Sequence, residues 1–273
     1  MKTYADLKGD GGSNVMGQVI AQRAQIKANL SQIRHRIAIA SGKGGVGKST
    51  LTLQLALGLK QAGFSVSCLD ADLNGPSLAK LAGLENGMLI PGKKGLVVPK
   101  TKSGIGVVSL GSAVPETEAI DFDSVAAGES HVWRATKEFT TLAEFLGATD
   151  WGVLDFLLID LPPGAERVFQ FAQFLGQETA FILVTIPSEV SYGVVQRSLA
   201  ALRKANANIL GWIENMSGYY CEGCGEVRPL FPNNGAGRFD IPCLGKIPFD
   251  PGLKTGIKEA TEQILKTLKR KAS

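Results

Sequence analysis

The chain lacks any run of the ~18 consecutive apolar residues that a bilayer-spanning helix requires. Its opening segment, Met1–Ser13, is polar and contains no apolar stretch, which predicts no secretory leader. Cysteine is scarce: four among 273 residues. That is too few for a disulfide scaffold in a chain this long, and it points to a reducing cytosol and a cytoplasmic protein. Charge of one sign is also scarce. Lys and Arg number 29 against 25 Asp and Glu, and a net +4 is too weak to indicate a nucleic-acid partner. There is no internal repeat, and the only low-complexity stretch is a glycine arm around Gly9, Gly11 and Gly12. What remains is an ordinary globular composition, 44% hydrophobic and 20% charged, long enough for one large buried core.

The apolar pattern alternates between two periods. Residues 1–35 read as a flexible arm followed by a helix, with Val15, Val19, Ile26, Leu30 and Ile33 at roughly helical spacing. Residues 36–273 read as one domain. Strands are expected at Arg36–Ser41, Phe64–Asp70, Leu154–Asp160, Phe181–Ile186, Ile209–Ile213 and near 243–247. Helices are expected at Gly47–Ala62, Glu129–Phe145, Val190–Ala205 and from about residue 256. Leu96–Val98 and Val107–Leu110 suggest hairpin excursions and one further sheet strand, and residues 216–240 read as a Gly- and Pro-rich loop. Nearly continuous apolar strands separated by helices predict an α/β fold, a mostly parallel central sheet flanked by helices on both faces. Ligands in such sheets sit at the carboxyl ends of the strands.

Gly42-Lys43-Gly44-Gly45-Val46-Gly47-Lys48-Ser49-Thr50 occupies such an end, after a strand and before a helix, and matches the phosphate-binding P-loop G-x-x-x-x-G-K-[ST]. Glycines let the backbone wind around phosphate oxygens with its N–H groups pointing inward, and the helix adds its positive end. Lys48 is placed to reach the β- and γ-phosphates of ATP and Ser49 to ligate Mg²⁺. Asp160, closing an apolar strand before Leu161-Pro162-Pro163-Gly164, has the position of the carboxylate that holds Mg²⁺. Gly164 is suited to a switch that responds to the γ-phosphate. Asp70-Ala71-Asp72 closes another strand.

Cys221-Glu222-Gly223-Cys224 is a single C-x-x-C. Two thiolates do not complete a tetrahedral zinc site or a four-thiolate cluster, so a redox dithiol, a chance pair and a half-site remain open. Two-fold dimerisation would bring four sulfurs together. Tyr219 and Tyr220 either shield such a centre or simply pack. Cys68, inside an apolar strand, reads as a buried small hydrophobe, and Cys243 as the same or as an auxiliary ligand.

The loop K-G-G-V-G-K-S-T resembles the deviant P-loop of the MinD/ParA class of ATPases. More specifically, the chain resembles the Mrp/ApbC family of iron–sulfur carrier ATPases. The resemblance rests on Asp70-Ala71-Asp72-Leu73-Asn74-Gly75-Pro76-Ser77, Leu154–Gly164, Gly211-Trp212-Ile213-Glu214-Asn215-Met216-Ser217, the C-x-x-C and Leu244-Gly245-Lys246-Ile247-Pro248, in order from Ile37 to Pro251. It implies a homodimer with a [4Fe–4S] cluster held between paired Cys221 and Cys224. The cluster would be passed to apo iron–sulfur proteins, with scaffold proteins as further partners. It also implies that Lys43 acts across the dimer on the partner's nucleotide, that Asp70 assists at the metal, that Asp72 orients the attacking water, and that Asn215 recognises adenine with Pro248 nearby. Zinc is a substitute occupant of the thiols. The pattern departs from the family at Asn74, at Ala135-Thr136-Lys137 and at Ala165-Glu166-Arg167, on expected switch segments.

Two alternatives follow from the same residues. One is a MinD/ParA-like positioning ATPase. The closing helix, with Ile257, Ala260, Ile264, Leu265 and Leu268 on one side, would then lie on an anionic membrane. The favoured reading packs that helix on the sheet, with no stable membrane association. The other is an ArsA-like targeting ATPase with structural zinc at the C-x-x-C.

Overall fold

A computed structural model describes residues 15–72, 76–84, 89–109, 131–230, 237–250 and 257–272. The arm over 1–13 and the departure at Asn74 lie outside them, as do the side chains of Ala135, Thr136 and Lys137. The elements in chain order are α1 (Val15–Ser31), β1 (Ile33–Ser41), α2 (Lys48–Gln61), β2 (Val66–Asp70), α3 (Leu78–Leu81), β3 (Ile90–Pro91), β4 (Leu96–Val97), β5 (Gly106–Val108), α4 (His131–Ala148) and β6 (Thr149–Asp150). There follow β7 (Leu154–Asp160), α5 (Ala165–Leu175), β8 (Thr179–Thr185), α6 (Glu189–Lys204), β9 (Asn208–Cys221), β10 (Glu226–Pro229), β11 (Cys243–Phe249) and α7 (Ile257–Ala272).

Eight strands form the main sheet in the order β10-β9-β8-β1-β7-β2-β5, with β11 also paired to β9. All these pairings are parallel except β9 with β10. Strand alternation divides the core in two. Ala38, Ala40, Leu157, Ile159, Phe181 and Leu183 face the layer containing α1, α4, α5 and α6. Ile37, Ile39, Phe156, Leu158, Ile182 and Val184 face α2, α3 and α7. Burial on both faces is why these strands read as unbroken apolar runs.

Several boundaries differ from the expectation, each for a physical reason. Ile33 opens β1, paired with Leu154, and does not end the leading helix, so a domain boundary at 35 falls inside a strand. The leading helix itself is fastened to the domain: the Asn29 amide donates to Gly147 O at 2.6 Å and Thr149 O at 3.2 Å. A helix not anticipated, α5, buries Val168, Phe171, Ala172 and Leu175 at i, i+3, i+4, i+7 spacing. The segment 216–240 is not simply a loop. β9 runs through to Cys221 and pairs antiparallel with β10, Cys221 opposite Glu226 and Tyr219 opposite Arg228. A second small sheet, β3-β4-β6, holds the expected hairpin excursion. α7 packs its Ala260 and Ile264 fully into the core, with Ile257, Leu265 and Leu268 partly buried beside them. No described helix is long and apolar enough to cross a membrane.

Candidate functional site

The turn from β1 into α2 is the P-loop, and its backbone depends on glycine at two points. Gly45 and Gly47 have φ of +75° and +76°, the left-handed region that side chains disfavour. At Gly47 an added Cβ would also lie 2.5 Å from the Asn215 amide nitrogen. The loop borders a cleft of about 250 Å³, lined by Ser41, Lys43, Gly44, Gly45, Val46, Gly47, Lys48, Ser49, Thr50, Asp72, Ser77, Leu81 and Pro163. Most of the expected nucleotide residues therefore meet on one surface at the carboxyl end of the sheet. Gly42 does not line it. A Cβ there would come 2.3 Å from Val194 of α6, so this glycine permits close packing of helix against loop.

Asp160 is completely buried behind Lys48, whose ammonium donates to Oδ1 at 2.5 Å. Thr52, one turn along α2, donates to the same oxygen at 3.2 Å. Thr52 was not anticipated, although its position four residues after the P-loop lysine puts it on the same helix face. Oδ2 of Asp160 has no hydrogen-bond partner among the described residues. Asp70 neighbours Asp160 in the parallel register and is also buried. Burial, then the Asp160 charge, push its carboxyl up to about 6, while hydrogen bonds from Leu78, Asp72 and Ser109 pull the other way. After Asp160, Gly164 adopts φ +120° at the start of α5 and donates its N–H to Ser41 O at 3.0 Å, joining this segment to the P-loop strand. Of the departing residues 165–167, Glu166 lies in the first turn of α5, where its charge suits the helix dipole.

Strand β9 connects the cleft to the cysteines. The Asn215 side-chain amide donates to Val46 O of the P-loop at 2.8 Å. Its neighbour Glu214 is buried, accepts the Tyr192 hydroxyl at 2.7 Å and pairs with Lys246 at 3.6 Å. Pro248 is buried on β11, next to Ile247, which is the register partner of Asn215. Beyond Glu214, its last residue paired with β8, β9 is irregular between Asn215 and Tyr219, where Met216, a non-glycine residue, has φ +53°. The strand then continues to Cys221. At ~3.3 Å per residue, Cys221 lies at most about 23 Å beyond Glu214.

Cys221 and Cys224 share the turn between β9 and β10, closed by Gly225 N–H donating to Cys221 O at 2.8 Å. The Cys221 thiol is held below its ordinary range by hydrogen bonds from the Cys224 backbone and thiol, then from the Gly223 amide, with Arg228 adding a positive charge. Backbone N–H groups converging on one sulfur stabilise it as a thiolate, the form that binds metal. Cys224 is exposed, and so are Tyr219 and Phe249, which are register partners. Tyr219 is therefore not a core residue. Cys68 is fully buried as expected, and burial raises its thiol strongly. Cys243 is exposed, contrary to its reading as a buried hydrophobe, because it occupies the entry to the outer strand β11. Among the described residues no group of three or more His, Cys, Asp or Glu is arranged to hold a metal, so one copy of this region offers only the two thiols.

Residues 32–273 match a ParA-type family model described as the NUBPL iron-transfer P-loop NTPase. The chain is 38% identical over 234 residues to an iron–sulfur cluster carrier protein of Methanocaldococcus jannaschii, covering 84% of this chain and 77% of that protein. It is 38% identical over 235 residues to the cytosolic Fe–S cluster assembly factor CFD1 of Saccharomyces cerevisiae, covering 82% and 77%. Among solved structures, a nucleotide-binding protein of Archaeoglobus fulgidus in complex with ADP superposes with a TM-score of 0.69 at 33% identity, covering 89% of this chain and 91% of that one. The cell-division ATPase MinD of Pyrococcus furiosus, at 22% identity and TM-score 0.59 over 87% and 99%, shares the fold.

Proposed function

Because the chain belongs to the ParA-type family of NUBPL iron-transfer P-loop NTPases, we propose that it is a homodimeric, ATP-dependent carrier of a [4Fe–4S] cluster. The observation that carries this reading is strand β9. It touches the P-loop through Asn215 and ends in a thiol pair arranged around one sulfur. A carrier that couples nucleotide state to cargo needs such a connection between its two sites.

In this reading the phosphates lie along Gly44–Thr50, with Lys48 turned from Asp160 to the β- and γ-oxygens. Mg²⁺ fits the residues present, because the buried Oδ2 of Asp160 lacks a partner and Ser49 lines the cleft beside Lys48. The ion, when bound, neutralises charge on the phosphates. Asp72, which also lines the cleft, orients water, Lys43 stabilises charge on the partner's nucleotide, and Asn215 with Pro248 borders the base. The cluster is cargo. Two thiolates from each copy hold it, and apo-protein thiolates replace them one for one, with no electron transferred.

Anaerobic reconstitution with iron and sulfide counted per dimer tests this. The expected result is about four of each, and neither in Cys221→Ala/Cys224→Ala. Zinc alone at stoichiometric level, with no iron uptake under reducing anaerobic conditions, would sink the carrier reading.

A further inference from the structure

Asp70 stands next to Asp160 at the carboxyl edge of the sheet, where a second carboxylate invites a role at the metal. Its oxygens are already engaged. Oδ1 accepts the backbone N–H of Asp72 at 3.1 Å. Oδ2 accepts the N–H groups of Ser77 and Leu78, both at 3.0 Å, and the hydroxyl of Ser109 at 3.1 Å. Four donors on two oxygens approach the full capacity of a carboxylate. The side chain is 1% exposed and does not line the cleft, whereas Asp72 and Ser77 do.

We infer that Asp70 is a positioning residue, which fastens the backbone of Asp72 on one side and of Ser77 and Leu78 on the other to the end of β2 and thereby sets Asp72 in the cleft. It also caps α3 from a distance, since the Ser77 side chain makes no cap bond of its own. A carboxylate is required because all four groups facing it are donors. An asparagine has the same shape but turns its own N–H₂ toward amide hydrogens. The functional half of the inference rests on the proposed role of Asp72 in orienting water.

The test uses the full chain with Asp70→Asn, Asp72→Asn and the double variant, read by amide hydrogen exchange, by Mg²⁺ titration of ATP binding and by turnover. Asp70→Asn is expected to speed exchange at Asp72, Ser77 and Leu78. It should leave the Mg²⁺ half-saturation concentration unchanged and lower kcat by up to about 100-fold through displacement of Asp72. In the double variant it should add nothing to the loss from Asp72→Asn, as two residues acting through one group do. The inference is overturned if the Mg²⁺ requirement rises tenfold or more while exchange is unchanged, or if the two losses multiply. Should Asp72→Asn leave turnover intact, the reading of Asp72 fails, and exchange together with the Mg²⁺ titration still decides what Asp70 holds. If Asp70→Asn does not fold, Ser109→Ala removes one of the four donors. It should raise exchange at Ser77 and Leu78 to a lesser degree, and unchanged exchange there counts against the inference.

Discussion

Lys48 and Asp160 meet in the interior, 7% and 0% exposed, so each depends on the other for compensation of a buried charge. Replacing Lys48 by Met leaves a carboxylate stranded, which costs about 3–5 kcal/mol for a pair of this kind. Lys48→Met/Asp160→Asn removes both charges and should lose less. Chemical denaturation of the two variants measures the difference, and equal losses would refute the buried-pair account. The cysteines make a second residue-scale prediction. The Cys221 thiol lies below the ordinary range because hydrogen bonds favour its thiolate, while partial desolvation of the sulfur raises Cys243 even though the residue as a whole is exposed. Alkylation by iodoacetamide requires the thiolate. Cys221 should therefore begin to react at a lower pH than a free cysteine near 8.5, and Cys243 at a higher one. Peptide mass spectrometry after timed labelling from about pH 7.5 to 9.5, one unit to either side of that value, reads the order directly.

At the scale of elements, legibility followed the physical origin of each signal. β7 is legible to the residue, because burial on both faces makes Leu154–Asp160 nearly continuously apolar until its closing aspartate. α5 carries a helical spacing of apolar residues in the sequence, Val168, Phe171, Ala172 and Leu175, directly after a Pro-Pro-Gly that breaks the pattern before it. The far half of β9 is different. Glu214–Gly218 has little strand character of its own, and its place in the sheet is set by β11 and β10 pairing on β9. That pairing is testable. A Cβ at Gly218 would stand 2.4 Å from Arg228 O. Gly218→Ala should separate β10 from β9 and abolish iron uptake at the adjacent turn, yet leave ADP affinity within about twofold, since the P-loop contacts lie elsewhere. Reconstitution and equilibrium nucleotide binding on the same preparation provide both readings.

For the whole molecule, α7 decides between a helix that closes the core and one that serves a surface. Ile264 is 1% exposed against α2 and the sheet. Ile264→Ala should lower unfolding free energy by about 2–5 kcal/mol, which urea denaturation measures. Wild type should not pellet with anionic vesicles, with or without ATP, because the apolar face that would bind them is already buried. Lys43, on the cleft wall, bears on assembly. If it completes the partner's site, Lys43→Ala should keep nucleotide binding while turnover falls by roughly a thousandfold, the scale of a missing cationic finger. A parallel fall in nucleotide affinity would place Lys43 in its own site instead.

The sequence by itself determined the parallel α/β fold, the phosphate loop and the identity of its lysine and aspartate, because these rest on local periodicity and on backbone chemistry confined to a few consecutive residues. It also marked the two thiols, by residue type and spacing. Only the tertiary structure decided that Gly42 serves helix packing, that Thr52 shares Asp160 with Lys48, that Cys243 is exposed, and that Asp70 engages its oxygens with three backbone amides and the Ser109 hydroxyl. It alone placed the thiols at the tip of a hairpin continuous with the strand that touches the P-loop. Each of these depends on contacts between residues far apart in the chain, and no local pattern encodes which donor will meet which acceptor once the sheet has closed.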